Sequence, residues 1–116
     1  MEPKRTLVLR FRAVNRPIFD AIRSGKKKVE TRAATVKYRN FRPGDTLKFV
    51  CEKASFIKSI GKVRNFRTIA GLLKAYSPSQ VNPTCKTARE LREVYYSFPG
   101  YREKIEKFGI VALELE

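Results

Sequence analysis

Three side chains that could act together chemically lie in the stretch SGKKKVETR, residues 24–32. Glu30 and Arg32 are two positions apart on an alternating segment, so both should point to one face of a strand. A Glu–Arg pair in a partly dry cleft fixes its own geometry and leaves guanidinium donors for a phosphate or a base edge. Lys27 is three positions before Glu30, so on a regular strand its side chain would point to the other face. It reaches the same cleft only if the backbone bends or bulges. On spacing alone, Lys27, Glu30 and Arg32 form either one wall of a ligand-binding site or part of a basic surface patch.

Lys27 also has the chemistry of a base or a nucleophile. Lys26, Lys28 and Arg32 surround it, which disfavours its ammonium form and is expected to lower its pKa. If the chain is an enzyme, Lys27 and Glu30 are the candidate catalytic residues. The alternative is that Lys27 is solvated and that Glu30 and Arg32 form a surface ion pair, worth less than about 1 kcal/mol.

The composition excludes several classes of chemistry. The chain has 116 residues and no histidine, which removes Ser–His and Cys–His nucleophiles and the commonest zinc ligand. Cys51 and Cys85 are expected to be free thiols, and no metal or cofactor is predicted. No apolar run approaches the roughly 18 residues that span a bilayer, and residues 1–6 lack the apolar region of a signal peptide. We therefore expect a soluble, cytoplasmic protein of one domain, residues 1–116, without a membrane partner.

Positive charge dominates the first part of the chain. Lys and Arg number 26 against 11 Asp and Glu, a net charge of +15. Residues 1–67 contain 19 basic and five acidic residues, whereas residues 68–116 contain seven and six. A surplus confined to one segment predicts a polyanionic partner, with nucleic acid favoured over a membrane surface and solubility as the alternative explanation. Abundant Lys and Arg with little Asn, Gln and Met also favour a thermophilic source.

Aromatic residues alternate with cations around and beyond the motif. Cations hold phosphates while aromatic rings stack on bases, so this interleaving is typical of RNA-binding surfaces. Tyr38 is the best stacking candidate, whereas Phe41 and Phe66 are at least as well explained as core residues. The predicted RNA-binding residues are Lys26, Lys28, Lys37, Tyr38, Arg39, Arg42, Arg64 and Arg67.

Hydrophobic periodicity and turn residues define the elements that must position these side chains. Strands are predicted at 6–14, 27–34, 45–52, 55–66 (with a bulge or bend at Gly61) and 110–116. Helices are predicted between Asn15 and Gly25, after Thr68 and after Thr87, with loops at 36–45 and 77–84 and either a polar connection or a helical turn at 101–109. Five mainly antiparallel strands predict an α+β fold, a small closed or nearly closed β-barrel with two or three helices packed beside it.

The spacing GxKxxExR at residues 25–32, followed by the GD pair at 44–45 before an apolar strand, resembles the ASCH domain family, a branch of the PUA-like superfamily. The Phe-Pro pair at 98–99 and the closing strand at 111–115 extend the resemblance over nearly the whole chain. The resemblance implies a PUA-like barrel with a cleft, between barrel and helices, that holds the motif's Lys, Glu and Arg.

The resemblance also implies a function. ASCH domains are generally proposed to bind RNA, and some members are enzymes that deacetylate N4-acetylcytidine nucleosides or cleave RNA. We therefore expect an RNA-binding domain, with an enzyme acting through the same cleft as the alternative. The deacetylating members have threonine where this chain has Glu30, and they have a glutamate ahead of the late helix where residues 80–87 contain no acid. These departures weaken the amidohydrolase alternative, although Lys27 is retained.

Overall fold

A five-stranded sheet curled into a half-barrel forms the centre of the computed structural model, which describes residues 4–116. Its strands are β1 (Thr6–Phe11), β2 (Val29–Ala33), β3 (Thr46–Cys51), β4 (Ala54–Phe66) and β5 (Ile110–Leu115). The order is β1-β3-β4-β5-β2, with β1 parallel to β3 and all other neighbours antiparallel. β1 and β2 are the two edges, so the predicted five-strand α+β fold is present but the sheet is open rather than closed.

The helices outnumber the two or three that were predicted. They are α1 (Arg16–Ser24), α2 (Val36–Arg39), α3 (Ile69–Ala75), α4 (Pro78–Val81), α5 (Ala88–Ser97) and α6 (Tyr101–Phe108), with a 3₁₀ turn at Ala13–Asn15. α1, α3 and α5 match the predicted helices. α2 and α4 are single turns inside predicted loops, and α6 buries only Ile105, so none of the three has a clear apolar stripe. None of the helices in this part of the chain is long and apolar enough to span a bilayer.

Local signals in the sequence mark the helix boundaries and one strand irregularity correctly, whereas the first strand, predicted at 6–14, ends at Phe11 and gives way to the 3₁₀ turn. Gly25 follows α1 with a φ of 85°, the left-handed conformation that glycine adopts without strain. The Thr68 hydroxyl accepts the N–H of Gly71 at the start of α3, over 3.0 Å, and Thr87 caps α5 in the same way. The register between β4 and β5 shifts at Gly61, so the predicted bulge is confirmed.

Two apolar clusters pack against opposite faces of the sheet. Alternation along β5 separates them, because Val111 and Leu113 face the inside of the half-barrel whereas Ile110 and Ala112 face the helices. Each fully buried large apolar side chain contributes about 1.5–3 kcal/mol to folding. The inner cluster includes Leu9, Phe19, Phe41, Leu47, Phe49 and Cys51, and the helix-side cluster includes Leu72, Val81, Cys85, Leu91, Tyr95 and Ile105. Both cysteines are free, as predicted.

The Asp45 carboxylate ties the start of β1 to the turn before β3. It accepts the backbone N–H groups of Arg5 at 3.0 Å and Arg42 at 2.9 Å, and it forms an ion pair with the Arg5 guanidinium at 3.6 Å. Burial by itself would raise the pKa of Asp45, but these donors and the Arg5 charge outweigh it, so the pKa lies below its ordinary value. The Gly-Asp pair of the sequence motif therefore has a structural role outside the cleft.

Candidate functional site

A cleft of about 570 Å³ opens where the two edges of the sheet are left unpaired. The end of β1 and the turn into α1 form one wall, and Lys27 with β2 forms the opposite wall. Residues of α4 and α5, with Tyr101 of α6, close the remaining side. Small-molecule sites typically have volumes of about 300–1,000 Å³, so this cleft has room for a nucleotide.

Lys27 is buried in this cleft, with only 4% of its surface exposed, so the solvated alternative is wrong. Its side-chain nitrogen donates to the carbonyl oxygens of Val29 and, at 2.6 Å, Val81. The bend that its parity required is present, because the Lys27 N–H donates to the carbonyl of Ala21 in α1 at 2.9 Å and β2 begins only at Val29. The helix end and the bend together turn Lys27 inward beside Glu30.

Burial lowers the pKa of Lys27, because desolvation disfavours the ammonium. The negative charge of Glu30 opposes the shift and the positive charge of Arg32 adds to it. The pKa of Lys27 is lowered, as predicted. The main cause is burial rather than the charges of Lys26 and Lys28, which are exposed. The lysine ammonium has three N–H donors and the two carbonyls occupy two of them, so one donor is left for a ligand, and loss of that proton would leave a lone pair in its place.

Glu30 and Arg32 share one face of β2, as predicted. They lie opposite Leu113 and Val111 of β5, so both side chains face the inside of the half-barrel. The Arg32 Nε lies 3.8 Å from the Glu30 Oε1 and is buried without a hydrogen-bond partner among residues 4–116. Burial opposes the charge of Arg32, but Glu30 outweighs it and the pKa of Arg32 is raised. The guanidinium therefore stays charged and is not saturated with hydrogen bonds.

Side chains of the cleft also satisfy the open edge of β2. Glu30 accepts the Thr31 N–H at 3.0 Å, and the Tyr101 hydroxyl accepts the Ala33 N–H at 2.8 Å. The Val29 carbonyl is the one that accepts from Lys27. An unpaired edge exposes donors and acceptors that would otherwise invite another strand. The residues that shape the cleft thus also block strand addition at this edge.

Aromatic rings form the helical wall of the cleft. Tyr95 and Tyr101 are stacked with centroids 6.1 Å apart, and Phe98 meets Tyr101 edge-on at 5.6 Å. The Tyr95 hydroxyl hydrogen-bonds to Thr31 of β2, and burial raises the pKa of both tyrosines, so they are neutral donors and acceptors. Such a wall offers flat apolar surface with polar edges to a planar ligand. In the sequence Tyr95 fits the apolar stripe of the helix predicted after Thr87, and nothing there marks it as a site residue.

Arg10, near the end of β1, and Arg12, just after β1, line the same cleft and were missed as site residues. Both are exposed, and neither has an ion pair or a side-chain hydrogen bond within the described part of the chain. Their alternation on one face of the first strand was visible in the sequence. Nothing in the sequence, however, indicated that β1 and β2 are the two edges of one sheet and therefore face each other across the cleft.

The predicted RNA-binding residues near the motif lie on several elements. Lys26 and Lys28 are exposed between α1 and β2, where Lys28 and Lys58 border a second hollow of about 190 Å³. Tyr38 of α2 is half-buried, with its ring 5.8 Å from the Arg32 guanidinium, so it connects this helix to the motif. The exposed cations beside it are Lys37 and Arg39 of α2 and Arg42 of the following turn.

Arg64 lies on the face of the sheet opposite to Glu30 and Arg32. It pairs with Ala112, which belongs to the helix-side cluster, and its guanidinium lies 5.3 Å from the Phe66 ring and 5.6 Å from the Tyr76 ring. Arg67 is exposed just beyond β4. The structure therefore brings Lys27, Glu30 and Arg32 together and separates Arg64 from them.

Comparison with known proteins bears on the fold. No family model and no curated protein matches the chain. The crystal structure of the hypothetical protein PH0355 is similar at 28% identity, covers 98% of both chains and has a TM-score of 0.80. The solution NMR structure of protein PF0455 from Pyrococcus furiosus is similar at 27% identity, covers 98% of this chain and 96% of that chain, and has a TM-score of 0.72. The chain thus has a fold in common with these proteins over nearly its whole length.

Proposed function

We propose that this chain is an RNA-binding domain of the ASCH type, with a PUA-like fold, that holds one nucleotide in the cleft. The observation that carries the proposal is the burial of Lys27 and Glu30, with Arg32 beside them, in one cavity of nucleotide size. Buried charged groups are costly unless they are paired, so a protein that keeps two of them in a cavity, with a third charged group beside them, has a use for their hydrogen-bonding capacity.

Each group has a distinct part in this proposal. Arg32 and Lys27 donate to acceptor atoms of the base or to a phosphate, and Glu30 accepts from ring or amino N–H groups. Tyr95 and Tyr101 supply the apolar wall for the base. Arg10 and Arg12 hold phosphates at the opening, where their charges are not neutralised by the described acids.

The wider basic surface extends these contacts along the chain of phosphates. Lys26, Lys28 and the cations of α2 and the following turn are exposed and lie on elements that flank the motif. Arg64 would be reached only by a strand that passes to the other face of the sheet, so its contribution is expected to be smaller, whereas Arg67 lies just beyond the end of β4. The net charge of +15 favours association with any polyanion. The cleft adds a site of defined shape, which net charge alone does not provide.

The test is the salt dependence of RNA binding. A fluorescent single-stranded 12-nucleotide RNA should bind at low salt, with log affinity falling by about 0.7 per phosphate contacted for each unit of log salt. The double variant Arg10→Ala/Arg12→Ala should bind more weakly and have a slope smaller by about 1.4. The control Lys53→Ala/Lys74→Ala removes two exposed cations outside the cleft. No binding at low salt, or equal losses in both double variants, would contradict the proposal.

A second candidate function is catalysis by Lys27 on N4-acetylcytidine or on an RNA phosphodiester. The observation that favours it is the buried lysine with a lowered pKa beside a carboxylate, since both groups can move a proton. Wild-type protein should then release cytidine and acetate from N4-acetylcytidine, or shorten RNA, and Lys27→Ala should not. Absence of turnover by the wild-type protein on both substrates would exclude this candidate and leave binding intact.

A further inference from the structure

We infer that the ligand is a single strand of at least two nucleotides, with a second base stacked on Phe98 outside the cleft. This inference rests on the proposed function and specifies its ligand as a strand rather than a free nucleoside. At the opening of the cleft, apolar and cationic side chains lie together without an acidic side chain. Glu30 is the only acid that lines the cleft among residues 4–116, and it is buried.

Phe98 is an exposed ring held in a fixed position. It is 47% exposed although it lines the cleft, and Val14 across the opening is 72% exposed. The Phe98 N–H donates to the Tyr95 carbonyl at 3.2 Å at the end of α5, and Tyr101 contacts the ring edge-on. A ring that is held in place without being covered is suited to stacking, because little side-chain freedom is lost on binding.

The rings of the helical wall lead from the interior to this opening. Tyr95 is buried, Tyr101 is half-buried and Phe98 is exposed, and each successive pair is in contact. A base against Tyr95 and Tyr101 fills the interior, which leaves Phe98 free for its neighbour along the strand. Paired bases in a duplex offer no such faces to the protein, so the ligand is single-stranded.

The charges at the opening match the group that joins two nucleosides. Arg10 and Arg12 come from the β1 side of the opening, whereas Phe98 comes from the helical side. Both arginines lack ion-pair partners in the described structure, so their donors are available to an anion. The phosphodiester that joins the inner nucleoside to the outer one provides this anion. A free nucleoside has neither the phosphodiester nor a second base.

The test compares ligands of increasing length with matched ring variants. Binding of a 5′-mononucleotide, a dinucleotide and a trinucleotide is measured by NMR titration with wild type, Phe98→Ala, Phe98→Tyr and Tyr96→Ala. Tyr96 is the control, because it is a 40% exposed ring on α5, two residues before Phe98, and it does not line the cleft. The dinucleotide should bind wild type about tenfold more tightly than the mononucleotide, the change expected for one base–aromatic stack. Phe98→Ala should remove this gain, and Phe98→Tyr and Tyr96→Ala should keep it.

The outcomes separate this inference from the proposed function. Equal affinity of wild type for the mononucleotide and the dinucleotide would overturn the second stacking position and leave nucleotide binding standing. Equal weakening of both ligands by Phe98→Ala would place Phe98 inside the first position and also overturn the inference. Failure of the mononucleotide, the dinucleotide and longer RNA to bind at all would instead overturn the proposed function.

Discussion

Replacing Lys27 with methionine is expected to abolish nucleotide binding in the cleft and to lower the free energy of unfolding by about 2–4 kcal/mol. Methionine keeps an unbranched stem but leaves the buried carbonyls of Val29 and Val81 without their donor. It also removes the amine that the proposal places against the ligand. Urea denaturation and RNA titration of the same samples measure both effects.

Lys28→Met is the matched control for this variant. Lys28 is the next residue but is exposed, so its replacement should change the free energy of unfolding by no more than about 0.5 kcal/mol. It should also weaken RNA binding only through the loss of one general charge. If the two variants lose the same stability and affinity, Lys27 has no special role in the cleft.

Because the pKa of Lys27 is lowered, the contribution of Lys27 to the free energy of unfolding should depend on pH. Between the lowered pKa and the ordinary value of 10.5, the unfolded chain binds more protons than the folded chain. Across this window the free energy of unfolding of the wild type should therefore rise with pH relative to that of Lys27→Met. Below the window the difference between the two free energies should not change with pH. Measurements should stop at about pH 10, because tyrosines with raised pKa values oppose the trend above that. If the difference in the free energy of unfolding between wild type and Lys27→Met does not rise with pH anywhere below pH 10, the burial of Lys27 is contradicted.

Glu30→Ala is expected to lower the free energy of unfolding by about 3–5 kcal/mol, the cost of leaving a buried charge without its partner. Arg32 would lose its counter-ion, and the Thr31 N–H would lose its acceptor at the sheet edge. A domain of this size is typically stable by about 5–15 kcal/mol, so the loss should be plain in chemical denaturation. Glu30→Gln should cost less, because its amide oxygen can still accept from Thr31.

The control for Glu30→Ala is an exposed ion pair of the same chemical type. Glu93 contacts Arg89 at 3.1 Å on α5, and both side chains are largely exposed. Glu93→Ala should therefore change the free energy of unfolding by no more than about 0.5 kcal/mol. A loss for Glu30→Ala as small as this would mean that the Glu30–Arg32 pair is effectively solvated.

The parts of the site that follow from local sequence were predictable. Strand alternation places Glu30 and Arg32 on one face whatever the rest of the chain does, and Gly25 marks the end of α1 because few other residues adopt its conformation. Caps and alternation likewise located β1, β3, β4 and α5. These features depend on near neighbours in the sequence, which is why a single sequence suffices for them.

The parts that depend on distant elements were not predictable. Arg10 joins the cleft because β1 and β2 are opposite edges of the sheet, and no pattern within either strand encodes that order. The cause of the Lys27 pKa shift was misassigned because burial comes from packing, whereas charges nearby in the sequence were visible. The α6 helix was predicted as no more than a helical turn because only Ile105 is buried, so its apolar periodicity is weak.

The pairing of β2 with β5 has a consequence for the order in which the molecule is assembled. Val29 lies opposite Glu114, so the cleft residues of β2 are synthesised early but gain their only strand partner much later. Contacts between segments so far apart in the sequence slow folding, because a long loop must close before they form. A nascent chain that lacks β5 therefore has Lys27, Glu30 and Arg32 but not the strand pairing that holds β2 in place, so the proposed ligand site forms only after β5 has been synthesised.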